Sequence, residues 1–108
     1  MVTFDEFKKI EIKIGEIISA EKVPETDKLL KLSVDFGEET PRQIVSGISF
    51  YFPDEKMLVG KKCAFATNLE SRTIRGLLSN GMILAVSGDD FFSLLETTQN
   101  VLPGSLVK

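Results

Sequence analysis

Apolar residues fall on alternate positions at Ile10, Ile12 and Ile14, and again at Leu30, Leu32, Val34 and Phe36. A period of two marks strands with one buried face. After Gly15 the first run shifts phase to Ile17. A glycine there predicts a bulge or a close backbone approach, and with it the bent first strand that a small barrel needs. Turn-forming clusters close these runs at Val23-Pro24-Glu-Thr-Asp27 and Gly37-Glu-Glu-Thr-Pro41. The pattern then predicts a third strand over Arg42–Gly47, a fourth over Lys61–Thr67 and a fifth over Gly81–Val86. Gly88-Asp89-Asp90 reads as a hairpin turn into Phe91–Leu95, and Val101–Val107 as an extended, tied-down tail. Ile48–Phe52 is apolar but runs into Pro53, and reads as an irregular or one-turn helical connection. Thr3-Phe-Asp-Glu6 fits a capping box that opens a short helix over about residues 4–9, with Phe4 and Phe7 on one face. Short strands with turns roughly every 8–12 residues predict an all-β fold, here a five-stranded OB-type barrel. No repeat or linker divides the chain, so residues 1–108 are expected to form a single domain.

Composition narrows the function classes. At 43% hydrophobic and 27% charged, the 108 residues match an ordinary globular domain able to bury a core without staples. No apolar run approaches the ~20 residues needed to span a bilayer. Asp5 and Glu6 also stand where a signal peptide would be basic and then apolar, so a cytoplasmic location and no membrane partner are expected. Cys63 is the single cysteine, which excludes an intrachain disulfide and multi-thiolate metal sites. Its alternating context reads as an inward small hydrophobe rather than a reactive thiol. Histidine is absent, removing Ser-His-Asp and Cys-His systems and most zinc sites. No nucleotide-binding glycine loop appears. No catalytic residue, metal or cofactor is therefore expected, and an enzyme is the weakest reading.

The net charge of −3 is unevenly spread. Residues 56–86 carry Lys56, Lys61, Lys62, Arg72 and Arg75 against Glu70 alone, while the remainder carries 15 acidic and 8 basic residues. A positive patch on an acidic body steers a polyanion to one face. Its centre is the segment Asn68–Ala85, which mixes two arginines, amides, hydroxyls, a thioether and glycines. Closing a hairpin takes only two to five residues. About a dozen residues carried out and back predict a binding loop on a rigid scaffold.

Three blocks, in order and covering most of the chain, resemble the tRNA-binding domain family. They are Ile10-Glu-Ile-Lys13-Ile14-Gly15-Glu-Ile17, then Pro24-Glu-Thr-Asp27-Lys28-Leu29 through Val34-Asp35-Phe-Gly37 to Arg42-Gln-Ile-Val-Ser46-Gly47, then Asn68-Leu69, Arg75-Gly76 and Ser79-Asn-Gly81-Met82-Ile-Leu84-Ala85. The family includes C-terminal modules of methionyl-tRNA synthetases, stand-alone tRNA-binding proteins, CsaA chaperone-like proteins and the EMAP II domain. The resemblance implies an OB fold with a short N-terminal helix and a C-terminal extension that support a homodimer. It also implies binding to the tRNA elbow with little dependence on sequence. The chain has no room for a synthetase's catalytic domain, so a free-standing form or an excised module is expected.

Carried over, the resemblance marks Lys28, Asn68, Arg72, Ser79 and Met82 as tRNA contacts, with Arg75 close by. Lys13 and Arg42 occupy motif positions whose side chains could be structural. Thr73, where relatives often carry a second basic residue, and Glu70 depart from the pattern and lower the expected affinity. Arginine forks onto phosphate oxygens and lysine acts as a point charge. Ser79 could bond a phosphate or 2′-hydroxyl, and Asn68 could do either or simply hold the loop. Met82 reads first as ordinary core strand, with an exposed thioether covering a base as the alternative. Phe4, Phe7, Phe50, Tyr51 and Phe52 are candidate dimer contacts, since three consecutive aromatics cannot all face one core. The alternative is a CsaA-like, peptide-binding homodimer using those aromatics. An aminoacyl-tRNA synthetase is a further candidate partner.

Overall fold

In the computed structural model, which describes residues 1–108, the long strand β1 (Ile12–Lys22) is shared by both halves of a barrel. Its C-terminal half pairs antiparallel with β2 (Leu30–Asp35), and its N-terminal half with β4 (Lys62–Ala66). β3 (Arg42–Ser46) lies beyond β2, and β7 (Met82–Ile83) beyond β4, giving the order β3-β2-β1-β4-β7. Two short hairpins stand outside this sheet. One is β5 (Arg72–Ile74) with β6 (Leu77–Ser79), and the other β8 (Ala85–Ser87) with β9 (Phe92–Leu94). This is the expected all-β, five-stranded OB-like barrel. The N-terminal helix α1 covers only Phe4–Phe7, shorter than the expected 4–9, and its Thr3–Glu6 capping box is complete. No helix is long and apolar enough to cross a membrane.

The alternation in β2 buries Leu30, Leu32, Val34 and then Phe36, as the pattern requires. They pack with Ile17, Ile44, Leu58, Phe65 and Ile83. Cys63 is fully buried among them, and burial pushes its thiol up to about 11, so it is a core residue and not a nucleophile. Gly15 marks a close approach rather than the bulge. A Cβ there would sit 2.5 Å from Val34 Cγ1 and 2.6 Å from Phe36 Cε1. The register shift falls later, between Ile17 and Ser19, leaving Ile18 exposed.

Two further expectations are refined. The predicted fifth strand is broken at Leu84, so that β7 pairs with β4 while β8 turns away to pair with β9. Ile48–Phe52 contains a one-turn 3-10 helix at Ser49–Tyr51. The tail is tied down as expected, along the free side of β1. Gly104 and Val107 donate to the carbonyls of Ile14 and Ile12, and Ile14 donates to Ser105.

No ladder joins β3 to β7, and side chains bridge the seam near it. The Ser79 hydroxyl accepts from the Val45 amide at 2.9 Å, and the Gln43 amide donates to the Leu78 carbonyl at 2.9 Å. Arg42 forks onto Glu38 at 2.9 and 2.8 Å and donates to the Thr67 carbonyl at 2.6 Å. These bonds fix the root of the β5–β6 hairpin to the barrel wall.

Candidate nucleic-acid interface

The segment read as a long binding loop is itself a projecting hairpin arm. Arg72 pairs with Ser79, Thr73 with Leu78 and Ile74 with Leu77. Arg75 (φ 52°) and Gly76 (φ 79°) form the tip, both in the left-handed region that a two-residue type I′ turn demands. Opposed residues share a face, so Arg72, Ile74, Leu77 and Ser79 lie on one side of the arm and Thr73 and Leu78 on the other. Ile74 and Leu77 are half-buried and Ser79 is buried, so that side faces the barrel. Leu78 is exposed on the outer side. A side-chain hydrogen bond from Ser71 to Asn80 closes the arm's root.

The six carried-over residues divide into two groups. Lys28, Arg72, Arg75 and Met82 are exposed. The side chains of Lys28, Arg72 and Arg75 make no hydrogen bond or ion pair within the chain, so their donors are free for a ligand. The core-strand reading of Met82 is corrected toward the surface: it is 45% exposed, because alternation along β7 gives the core contact to Ile83.

Ser79 and Asn68 both have their side chains engaged by the protein, Ser79 in the interior and Asn68 at the surface. Ser79 is 4% exposed, accepts from Val45 and donates to the Gly81 carbonyl at 3.3 Å. Asn68 accepts from the Glu11 amide and donates to the Lys9 carbonyl, both at 2.7 Å. It therefore ties the arm's root to the N-terminal segment. Both residues position the arm.

Arg42 and Lys13 are structural as well. The fork onto Arg42 holds the Glu38 carboxyl below its ordinary range. The Thr67 hydroxyl, donating at 2.7 Å, and then Lys13, 3.5 Å away, hold Glu11 below its ordinary range. Glu11 and Arg42 thus grip Thr67 from two sides, through its hydroxyl and its carbonyl, immediately before the arm begins.

Sequence reasoning passed over two lysines. Lys22, at the end of β1, and Lys31, on β2, line the groove into which the arm's tip projects. Nothing in the sequence singles them out, and only the arm's placement brings Arg75 to them.

The candidate dimer residues also separate. Phe4, Phe7 and Ile10 line a groove with Leu106 and Val107 of the tail, and Phe4 is 70% exposed. On another face, Phe52 packs edge-on to Phe92 against the core, and Tyr51 stacks on Phe92 at 3.9 Å. Phe50 remains 80% exposed.

Residues 12–106 match a family model described as "Putative tRNA binding domain". Over its full length the chain is 50% identical to a methionine–tRNA ligase of Methanoregula boonei, and it spans 16% of that protein. Among solved structures it is similar to a MetRS-related protein from Pyrococcus horikoshii, at 38% identity and a TM-score of 0.92. That match covers 100% of this chain and 98% of the other. A CsaA chaperone protein from Picrophilus torridus shares 25% identity with a TM-score of 0.88, each chain being covered completely.

Proposed function

The chain belongs to the tRNA-binding domain family, and from that premise we propose that it is a non-enzymatic module binding folded tRNA at the elbow through the β5–β6 arm. The observation that carries this reading is the state of the arginines. Arg42 has its guanidinium engaged by a carboxylate and a carbonyl, whereas Arg72 and Arg75 stand exposed on an arm with every donor free. A planar fork without a partner fits a phosphate.

Arg72 and Arg75 would hold phosphate oxygens, and Lys28, on the loop between β1 and β2, would add a point charge. Met82 would lie against a ribose or a splayed base. Loops in the positions of 23–29 and 67–81 flank the ligand face in OB folds generally. Phosphate contacts fix orientation and carry no base code, so recognition depends on the shape of the RNA. The acidic remainder of the chain repels RNA that approaches any other face.

A second copy of the chain would cover the groove of Phe4, Phe7, Ile10, Leu106 and Val107. A homodimer would then present two arms. The module performs no reaction itself, and in the cytoplasm it would deliver tRNA to a synthetase, acting within one chain or in trans.

Titration of labelled tRNA at increasing salt tests this reading. With three to five phosphates neutralised, log affinity falls against log salt with a slope of roughly −2 to −4. The exposed Phe50–Tyr51 surface supports a second reading, capture of apolar peptides. A chain that binds no tRNA at low salt, yet holds an apolar peptide at high salt, would establish that reading instead.

A further inference from the structure

Beneath the tip of the arm lies a groove of about 190 Å³ between the end of β1, the start of β2 and the hairpin. Lys22, Lys31 and Arg75 line it, with Pro24 and Leu77 as apolar walls and Glu21 as the one acid. The ammonium groups are only loosely held. Lys31 lies 3.5 Å from Glu21, an exposed pair of the kind that contributes little, and Lys22 lies 4.0 Å from the half-buried Glu55, at the limit of an ion pair. Arg75 has no partner in the chain.

The backbone supplies an independent observation. Only two non-glycine residues adopt positive φ, Arg75 at 52° and Glu25 at 64°, and each lies in a loop that contributes to this groove. The first central position of a type I′ turn favours Asn, Asp or Gly. An arginine there is strained, and strain retained at such a position points to a use for the side chain.

We infer that Lys22, Lys31 and Arg75 form a cleft that grips one backbone phosphodiester of the bound RNA, next to the contact made by Arg72. The inference rests on the arm being the RNA-binding element. Three cations against two acids, Glu21 in the lining and Glu55 beside Lys22, still leave a net positive cleft of phosphate size, and its apolar walls suit the sugar carbons on either side. On this account Lys31 and Arg75 share one phosphate, while Arg72 takes another.

The test is a salt titration of tRNA binding by the intact chain and by Lys31→Gln, Arg75→Gln, Arg72→Gln and their pairs. Lys31→Gln is expected to weaken binding several-fold and flatten the log–log slope by about 0.7 to 0.9, the change for one phosphate. Adding Arg75→Gln should flatten it little further, whereas adding Arg72→Gln should remove a second such increment. Lys31→Arg should bind as the parent does. Arg75→Asn should raise the thermal midpoint, because asparagine accepts this φ, while weakening RNA binding.

If the parent chain binds and Lys31→Gln is indistinguishable from it at every salt concentration, the cleft is overturned and the arm remains. Parent-like binding by Arg75→Asn would overturn it equally. Failure of the parent chain to bind at low salt removes the RNA reading and the cleft together.

Discussion

The seam of the barrel and the tip of the arm use the same kind of side chain to opposite ends. At the seam, Arg42 is half-buried, forked on Glu38 and bonded to the Thr67 carbonyl. At the tip, Arg75 sits on a strained turn with no partner. The contrast teaches that residue type announces charge, whereas burial and nearby acceptors decide whether that charge holds the fold together or awaits a ligand. Ser79 and Arg72, directly opposed across the arm, repeat the lesson. Both lie on the arm's barrel-facing side, yet Ser79 is buried at the seam and Arg72 is left exposed.

The comparison breaks most sharply in the scaffold. Gly15→Val would force a side chain into Val34 and Phe36, and should destabilise the protein by about 3 kcal/mol in urea unfolding. Arg42→Met strips the charged bonds to Glu38 and Thr67. It should lower stability by about 2 kcal/mol, with tRNA binding lost only as far as the arm's root loosens. Ser79→Ala leaves the buried Val45 amide without its acceptor, and about 1–2 kcal/mol should disappear from the unfolding free energy.

Acid sharpens the contrast. Glu11 and Glu38 are held below their ordinary 4.5 in the folded state and recover that value on unfolding. Their contribution is therefore complete above about pH 4.5 and fades as pH falls through the folded values. Thermal midpoints measured downward from pH 6 should decline in that window, and less steeply in Glu38→Gln. At the tip, Arg72→Ala/Arg75→Ala should alter stability by less than about 0.5 kcal/mol, because neither side chain bonds to the protein.

Much of the barrel was legible because burial imposes period two on its strands. Leu30, Leu32, Val34 and Phe36 all face inward, and Thr3–Glu6 caps the helix. The arm was legible as a charged, glycine-bearing segment and illegible as a hairpin. Its turn uses Arg-Gly where the turn rules expect Asn-Gly, and its strands are only three residues each. That the tail is tied down was legible, but not that it docks on β1, because those bonds run through backbone groups, which any sequence possesses. The intrachain partners of Asn68 and Ser79 were illegible, because a side chain's local chemistry does not reveal a partner more than 50 or 30 residues away. Lys22 and Lys31 carried no signal at all, since their significance arises from the arm folded beside them.

The decisive measurement is the affinity of the parent chain and of Arg72→Ala/Arg75→Ala for labelled tRNA at low salt, with unfolding midpoints recorded for both. Saturable binding by the parent, loss of most of it in the double variant and matched midpoints are the predicted result. Equal binding by two equally stable chains would contradict the assignment of the arm as the RNA-binding element.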